Sequence, residues 1–291
     1  MMPTEAIAIT PNMIQIAMQL LALGHGPYGL AVTALLTFLE SGGLQKLLTA
    51  FQQFHGLAVN GTLDAPTQAL LAKSRCAHPD IMAETSAPYR WLDGNLTWAQ
   101  AVDLPFVPAD VVAKAFNDAW ESWASVCGIT PTQRSQAEAH FANVVASAGE
   151  GYDQGFDTAN QILALSQLPT RLPITAQLTQ VFNRRSAWTA DMVQGVVAHE
   201  IGHSLGLIHD KPGTLMYAYY TPGVKSPQAA DVAQAVLRYG PRKAIALPGP
   251  SPKITPFPLN QDPLNSSNIV QIEINVPAPG KYILSMSMVP K

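Results

Sequence analysis

The N-terminal quarter of the chain carries apolar residues at helical spacing. Two sets of positions show it up to about residue 73: Ile14, Ala17, Leu20 and Leu21, then Leu44, Leu47, Leu48, Phe51 and Phe54. Side chains three and four residues apart share one face of a helix, so each set predicts an amphipathic helix. Asp64 followed by Pro66 is typical of a further helix start, with Asp64 as its cap. This part therefore predicts a small helical domain.

The middle of the chain mixes helical and strand patterns. One side of a long predicted helix carries Val111, Val112, Ala115, Phe116, Ala119, Trp120 and Trp123. Short apolar runs near 141–145, 162–165 and 180–182 predict strands. A second apolar stripe, Met192, Val193, Val196 and Val197, predicts a helix whose N-cap is Thr189 or Asp191. The fold class predicted is α+β, with a small mixed sheet backed by helices.

The pattern changes after Tyr239. Prolines recur between 244 and 265, which predicts an extended, semi-rigid connector. From 266 to 291, two stretches alternate apolar and polar residues around Pro277-Ala278-Pro279-Gly280, which predicts a β-hairpin with one apolar face. A lone hairpin is only marginally stable and needs a cover. Three covers stay open: docking on the preceding domain, a truncated β-sandwich, or a contact between copies.

Composition excludes several classes of function. The chain has 291 residues and a net charge of −3 without a basic cluster, which argues against nucleic-acid and anionic-membrane partners. The richest apolar stretch, 30–39, is too short to span a membrane. The N-terminus lacks a basic segment followed by an apolar core, so we see no secretory signal. Two cysteines are compatible with a reducing or an oxidising compartment.

The run 199–209, HEIGHSLGLIH, carries three histidines, a glutamate and a glycine at a spacing that suits one metal ion. Residues four apart share a helix face, so His199 and His203 can point at one ion. Gly206 can adopt a positive φ, which ends the helix and lets His209 return as third ligand. Three protein ligands leave one zinc position open for water, and Glu200 lies beside them as candidate general base. The run therefore predicts a catalytic zinc site.

A methionine follows this run after a Pro-Gly turn. Met216 alone would be core filler, but behind this histidine pattern it has the place of a Met-turn. With it, the sequence resembles the matrixins, the matrix-metalloproteinase branch of the metzincins, from about Leu44 to Gly240. The resemblance implies a metzincin fold with a mostly parallel sheet. It also implies a zinc-dependent endopeptidase in which Glu200 removes a proton from water and delivers it to the leaving amine.

The resemblance also covers the N-terminal part of the chain. Residues 51–64 are similar to the peptidoglycan-binding-like fold of matrixin propeptides, and 74–80, SRCAHPD, is similar to the family's cysteine switch. It implies that Cys76 blocks the zinc in a latent form, with Arg75 and Asp80 paired to hold the loop. A free cysteine or a disulfide to Cys127 is the alternative. His25, His55, His78 and His140 show no ligand-like partners and are interpreted as structural or exposed.

Further positions follow from the same resemblance. Leu163 and Ala164 fall where matrixins have the edge strand that pairs with an extended protein substrate. Tyr217, Tyr219 and Tyr220 either wall the substrate pocket or are core aromatics. Tyr89-Arg90-Trp91 and Leu96-Thr97-Trp98 resemble the start of the mature enzyme, and Asp231 to Gly240 resembles its closing helix.

The chain departs from the matrixin pattern at several positions. Ser74 and Ala77 replace the proline and glycine beside the switch cysteine, Asp210 follows the third histidine in place of serine, and Ala218 replaces a proline. Leu165 and Val181 stand where two structural-zinc histidines are expected, and Asn183 replaces an acid. We therefore expect one zinc ion. Asp157 is either a calcium ligand or a solvated loop acid.

These observations together predict five segments. They are a helical prodomain with its cysteine switch at 1–80, a linker at 81–88, a metzincin catalytic domain at 89–243, a connector at 244–265 and a hairpin tail at 266–291. The family is mostly secreted, so the resemblance implies an extracellular protein. A cell-wall-targeted metallopeptidase, whose first domain binds peptidoglycan glycan, is the alternative function.

Overall fold

The computed structural model describes residues 9–27, 30, 32–82, 90–150, 162–169 and 177–242, and the backbone of 269–274 and 282–287. Contacts divide the chain into two units, one ending at Lys243 and the other beginning at Ala244. The predicted linker at 81–88, apart from its first two residues, the connector at 244–265 and Asp157 lie outside the described residues.

The chain begins with the predicted helical region. Its helices are α1 (Pro11–Ala22), α2 (Val32–Glu40), α3 (Gly43–Phe54) and α4 (Ala65–Leu71). Asp64 caps α4 as predicted, because its carboxylate accepts the Thr67 amide N–H at 3.0 Å. The apolar faces form a separate core: Ala17, Leu20, Leu35, Leu39, Leu47, Leu48 and Phe51. The helical prediction is confirmed, with α2 added in the apolar stretch near residue 35.

A twisted sheet follows in the first unit. Its strands are β1 (Arg75–Cys76), β2 (Asn95–Ala101), β3 (Thr130–Gln133), β4 (Val144–Gly149), β5 (Ile162–Ser166) and β6 (Leu178–Asn183). The strand order is β1-β5-β6-β4-β2-β3, and every pair is parallel except β5 with β6. This confirms the mixed, mostly parallel sheet, and the antiparallel β5 lies next to the two-residue β1 at its edge.

Helices cover the sheet and carry the larger core. They are α5 (Ala109–Val126), a 3₁₀ helix (Gln136–Phe141), α6 (Ala190–Ser204) and α7 (Ala229–Tyr239). The predicted apolar face of α5 is buried, including Phe116, Trp120 and Trp123. The Trp123 indole N–H donates to the carbonyl of Ala198 in α6 at 2.9 Å. This bond fixes the helix that carries the histidine run against the longest helix of the core.

The second unit contains the predicted hairpin. Strands β7 (Ile269–Ile274) and β8 (Tyr282–Ser287) pair antiparallel, with Ile269 opposite Ser287 and Ile274 opposite Tyr282. The strand pairing is therefore confirmed, whereas its cover stays a prediction. Among the described residues, we find no helix long and apolar enough to cross a membrane.

Candidate metal centre

Helix α6 brings the first two histidines and the glutamate to one place. The Thr189 hydroxyl caps the helix by accepting the Met192 amide N–H, and the helix is buried from Val196 to Ser204. Gly206 then adopts a φ of +90°, a conformation that side chains disfavour. The turn closes with the Leu207 amide donating to Gly202 at 2.9 Å, and the chain returns to bring His209 beside the helix. The glycine turn is therefore found where it was predicted.

The Nδ1 atom of each histidine in this run contacts a backbone carbonyl. His199 Nδ1 lies 2.8 Å from the Leu215 oxygen, His203 Nδ1 2.8 Å from that of Leu207, and His209 Nδ1 2.7 Å from that of Pro79. A carbonyl oxygen only accepts, so each Nδ1 must carry the hydrogen and donate it. Each Nε2 then keeps a free lone pair, which is the arrangement of metal-binding histidines.

The three Nε2 atoms converge. His203 Nε2 lies 3.2 Å from His209 Nε2, and His199 Nε2 is buried without a hydrogen-bond partner among the described residues. Cys76 Sγ lies 3.4 Å from His203 Nε2, and the four ligand atoms are within 4.8 Å of one another. Two unprotonated nitrogens cannot hydrogen-bond to each other, so the cluster lacks an internal explanation. Imidazole and thiolate ligands in a buried, four-membered set fit a tetrahedral zinc ion.

Burial keeps the imidazoles neutral. Loss of solvent lowers the pKa of His199 to about 4, and it lowers the pKa values of His203 and His209 well below the usual range. For His203 and His209, the neighbouring histidines add to the effect, because a second positive charge would lie close to the first. Neutral imidazole is the form that binds a metal, so the site is prepared for one at neutral pH.

Glu200 lies fully buried beside this cluster. Both carboxylate oxygens lack a hydrogen-bond partner among the described residues. Burial raises the pKa of this carboxyl to about 7, and the nearby Ser166 and Cys76 act in the opposite direction. A carboxyl group with a pKa near neutrality can both take up and release a proton at physiological pH, which suits a general acid–base.

Met216 lies under the helix, fully buried, and its sulfur fills the space beside Gly202. A Cβ atom at Gly202 would approach that sulfur to 2.3 Å. The turn is held by Asp231 of α7, whose carboxylate accepts the amide N–H groups of Leu215 at 2.7 Å and Met216 at 3.0 Å. From the sequence, Asp231 was placed only at the start of the closing helix. An acidic residue at the third helical position is, however, itself a capping signal.

The segment that contains Cys76 lies in the cleft as a short strand. In β1, Arg75 is opposite Ile162 and Cys76 opposite Ala164 of β5, in parallel register. The Cys76 amide donates to the Ala218 carbonyl at 2.9 Å on one side, and the Ala77 amide donates to the Ala164 carbonyl at 3.1 Å on the other. The cleft between β5 and the segment 217–219 therefore accepts an extended chain.

The residues around Cys76 are buried and paired. Arg75 Nη2 lies 2.8 Å from Asp80 Oδ1, and the Arg75 guanidinium stacks 5.0 Å from the centre of the Tyr219 ring. His78 Nε2 donates to the Ser166 carbonyl at 2.6 Å. Burial and the neighbouring Glu200 raise the pKa of the Cys76 thiol well above its usual range, and only a bound cation would reverse this. Cys76 and Cys127 are both free thiols, so the disulfide alternative is wrong.

An apolar pocket opens beside the histidines. It is lined by Leu163, Val196, Thr214, Leu215, Tyr217, Ala218, Tyr219, Tyr220 and Val224, together with His199, Glu200 and Cys76. Tyr217 and Tyr219 are buried, and Tyr220 is half-buried with its hydroxyl donating to Asp191. The three tyrosines thus line the pocket and also pack against their neighbours, so both predicted alternatives apply.

The positions that depart from the matrixin pattern form ordinary sheet contacts. Leu165 and Val181 lie opposite each other across β5 and β6. Asn183 donates from its side chain to the Ile162 carbonyl at 2.8 Å. Asp210 joins the turn region, since its amide donates to the Met216 carbonyl at 2.9 Å. Each of these residues therefore has a local structural contact, and the expectation of a single zinc ion stays a prediction.

The sequence interpretation is wrong in one respect for two histidines. His25 and His55 were expected to have no ligand-like partner and to be structural or exposed; both contact the Asp80 carboxylate, and both are buried, which agrees with a structural role. Their partners lie 55 and 25 residues away along the chain, so no local pattern revealed them. His140 is exposed as expected.

The fold and the site define a buried histidine and cysteine centre that suits a zinc ion, and comparison with known proteins places the chain in a family. The family model described as Matrixin matches residues 90–237. Stromelysin-1 of Mus musculus is 31% identical over 202 residues, covering 66% of this chain and 42% of the relative. Macrophage metalloelastase of Rattus norvegicus is 31% identical over 219 residues, covering 71% and 46%. The chain belongs to the matrixin family, and it spans less than half the length of these relatives.

Proposed function

We propose that this protein is a zinc-dependent endopeptidase that hydrolyses peptide bonds of protein substrates. The observation that carries the proposal is the convergence of three buried, unprotonated Nε2 atoms. Beside them lies a buried carboxylate whose oxygens have no hydrogen-bond partner among the described residues. His199, His203 and His209 would hold the ion. Both the family and the chemistry of these ligands support zinc.

The division of labour follows from the chemistry of the site. A zinc ion held by His199, His203 and His209 would supply a Lewis acid that activates water and polarises the scissile carbonyl. Glu200 accepts a proton from the attacking water and delivers it to the leaving amine. Its buried oxygens have no hydrogen-bond partner among the described residues, so they are free to accept and to release the proton.

The cleft suits an extended peptide. Leu163 and Ala164 lie on β5 at the sheet edge, and the segment 217–219 forms the opposite wall. Cys76 and Ala77 already make main-chain hydrogen bonds to both walls, and a substrate strand would replace them. The apolar pocket beside Tyr219 would then take one substrate side chain. We therefore expect cleavage in unfolded or loop segments.

The decisive assay uses a denatured protein as substrate. Purified protein, freed of its N-terminal segment, should cleave it, and a chelator should abolish cleavage until zinc is restored. The matched variant is Glu200→Gln, which keeps the size of the side chain and all three histidines but removes the base. We expect a loss of about 10²–10⁴-fold in rate with zinc content unchanged. Undiminished cleavage by this variant would refute Glu200 as the base.

Within the same proposal, the protein is made latent by Cys76. Its sulfur lies 3.4 Å from His203 Nε2, where a thiolate would complete the ligand set and exclude water. The strand β1 also occupies the cleft that a substrate needs. Arg75 and Asp80 support the switch by their buried ion pair.

Latency is tested on the uncut chain. Cys76→Ala should show more activity than uncut wild type, because the fourth ligand is gone. Cys127→Ala removes the other buried thiol, outside the cleft, and should leave activity at the uncut level. Equal activity of the Cys76→Ala and wild-type proteins would contradict the latency proposal.

The helical domain has two candidate roles, and its contacts support inhibition. His55 at the end of α3 lies 2.9 Å, Nδ1 to hydroxyl, from Tyr217, which lines the pocket. A glycan-binding module would not need contacts with the cleft. By family, we also propose an extracellular location. Within the same proposal, residues 1–80 act as the propeptide of the catalytic domain at 89–243.

A further inference from the structure

The helical domain contributes two buried histidines to one carboxylate. His25 follows α1, His55 follows α3, and Asp80 follows the strand that carries Cys76. His25 Nε2 lies 2.8 Å and His55 Nε2 3.0 Å from the same atom, Asp80 Oδ2. All three side chains are fully shielded from solvent. Two separate helices thus hold one acid of the segment that blocks the cleft.

The hydrogen bonds of this group define the protonation state. Asp80 is ionised, because its carboxylate also pairs with Arg75 at 2.8 Å and its pKa lies well below the usual range, owing to the hydrogen bonds from both imidazoles and the Arg75 charge, which outweigh its burial. Each Nε2 must therefore carry a hydrogen and donate it. His55 Nδ1 then accepts from the Tyr217 hydroxyl at 2.9 Å, and His25 Nδ1 is buried without a partner among the described residues. These hydrogen bonds require only one hydrogen on each ring.

The charges around His25, His55 and Asp80 argue against a bound metal ion as the reason for their clustering. Two histidines and one aspartate could ligate a cation, and their ligand atoms lie within 4.8 Å of one another. Arg75 already neutralises the single carboxylate, however, so a divalent ion would add two uncompensated charges in a buried place. In the zinc cluster the Nε2 atoms are unprotonated and offer lone pairs, whereas here both Nε2 atoms carry a hydrogen that Asp80 accepts.

We propose that His25 and His55 form a clamp on Asp80 that holds the Cys76 segment in the cleft and is released by acid. The proposal rests on the latency proposed above. The titratable and charged groups that face the two rings are Asp80, Arg75, Tyr217 and Tyr219, besides the rings themselves. Only one of these groups is an anion, and it is already shared.

Protonation would break the balance of the clamp. A proton on His25 Nδ1 would be a buried donor with no acceptor in the part of the chain that the structure describes. A proton on His55 Nδ1 would remove the acceptor of the Tyr217 hydroxyl. Burial lowers the pKa of His55 below 6.5. The stability that this residue gives to the clamped state is therefore fully present above pH 6.5 and is lost as the pH falls below that value. Mild acid would thus free the segment.

The experiment measures exposure of the Cys76 thiol in the full, uncut, zinc-loaded chain. The probe is 4,4′-dithiodipyridine at pH 7.5 and 5.5, normalised to a short peptide that carries the same cysteine, with the labelled residue identified by peptide mass mapping. For wild type, we expect labelling of Cys76 to rise at least ~10-fold at pH 5.5, the equivalent of one pKa unit.

The key variant is the double substitution His25→Gln and His55→Gln. Glutamine keeps an N–H donor for Asp80 but does not titrate, so the acid effect should shrink to less than twofold. His140→Gln is the matched control, because it removes an exposed histidine elsewhere and should respond like wild type. If the double variant does not fold by circular dichroism, His25→Gln alone should give an intermediate effect.

Several outcomes overturn the clamp. One is an equal acid effect in wild type and the double variant, which would assign it to zinc loss or general unfolding. Another is the absence of any acid effect in wild type. Two zinc ions per wild-type chain and one in His25→Gln would show a metal site instead. Failure of latency is distinct: Cys76 would then be labelled already at pH 7.5, and Cys76→Ala would gain no activity.

Discussion

The two buried histidine clusters described above direct the two nitrogens of the imidazole ring in opposite ways. Around His199, His203 and His209, backbone carbonyls accept the Nδ1 hydrogens, so that the Nε2 lone pairs converge and stay available to a metal ion. Around His25 and His55, a carboxylate takes the Nε2 hydrogens. Burial is similar in both, so burial does not distinguish a metal site from a hydrogen-bonded one. What distinguishes them is which ring nitrogen donates its hydrogen: Nδ1 in the metal site and Nε2 in the hydrogen-bonded group.

Removing the metal should separate the clusters most strongly. When the free zinc concentration is a thousand times the dissociation constant, binding stabilises a protein by about 4 kcal/mol. A chelator should therefore lower the free energy of unfolding by that amount. His203→Ala should lose the zinc, and the chelator should then have no further effect. His25→Gln should keep one zinc per chain and the full chelator effect. Metal analysis with urea denaturation checks both, and equal zinc loss in the two variants would break the comparison.

The second cluster should depend on the charge of Asp80. Asp80→Asn would leave Arg75 as a buried cation without its partner, which typically costs about 3 kcal/mol. The exposed pair of Lys114 and Asp118 is the contrast, because Lys114→Ala should cost under about 0.5 kcal/mol. Urea denaturation of the uncut chain measures both. Similar small losses would show that the buried pair is not a structural requirement.

Asp231 should matter less than the metal but more than a surface residue. In Asp231→Asn, the neutral amide would still accept one N–H bond of the Met-turn, but its NH₂ group would face another donor. We expect a loss of about 2 kcal/mol in unfolding free energy, since hydrogen bonds to a charged group contribute roughly 1.5–3 kcal/mol. Glu138→Gln, an exposed cap residue, is a control that should change little. An unchanged midpoint for Asp231→Asn would deny its role.

The smallest effect is expected for the hydrogen bond between His55 of the helical domain and Tyr217 of the pocket. Tyr217→Phe removes the hydroxyl that donates to His55 Nδ1 and should cost about 1 kcal/mol. Zinc content should not change, because Tyr217 is not among the ligands. Denaturation of the uncut chain gives the value, and loss of zinc in this variant would merge the two clusters into one system.

The zinc cluster could be predicted because its geometry is local. His199, His203, Gly206 and His209 lie within one helix and its turn, so helical spacing and the glycine turn bring them together. Helices α1, α3, α5 and α6 followed from periodicity and the strands near 145, 163 and 181 from short apolar runs, whereas α2 was not predicted. The clamp could not be predicted, because its contacts join residues 25 to 162 positions apart. The strand β1 has only two residues, too few for any pattern.

The contact between His209 and Pro79 has a consequence for maturation. The hydrogen on His209 Nδ1 is accepted by a carbonyl of the blocking segment itself, whereas the other two histidines use carbonyls of the catalytic part. If that segment is removed from the cleft, as the proposed latency requires, His209 loses the acceptor that orients it and would need a solvent molecule in its place. The uncut and the cut protein would then bind the ion with different affinities, because an acceptor on the other ring nitrogen tunes a histidine ligand.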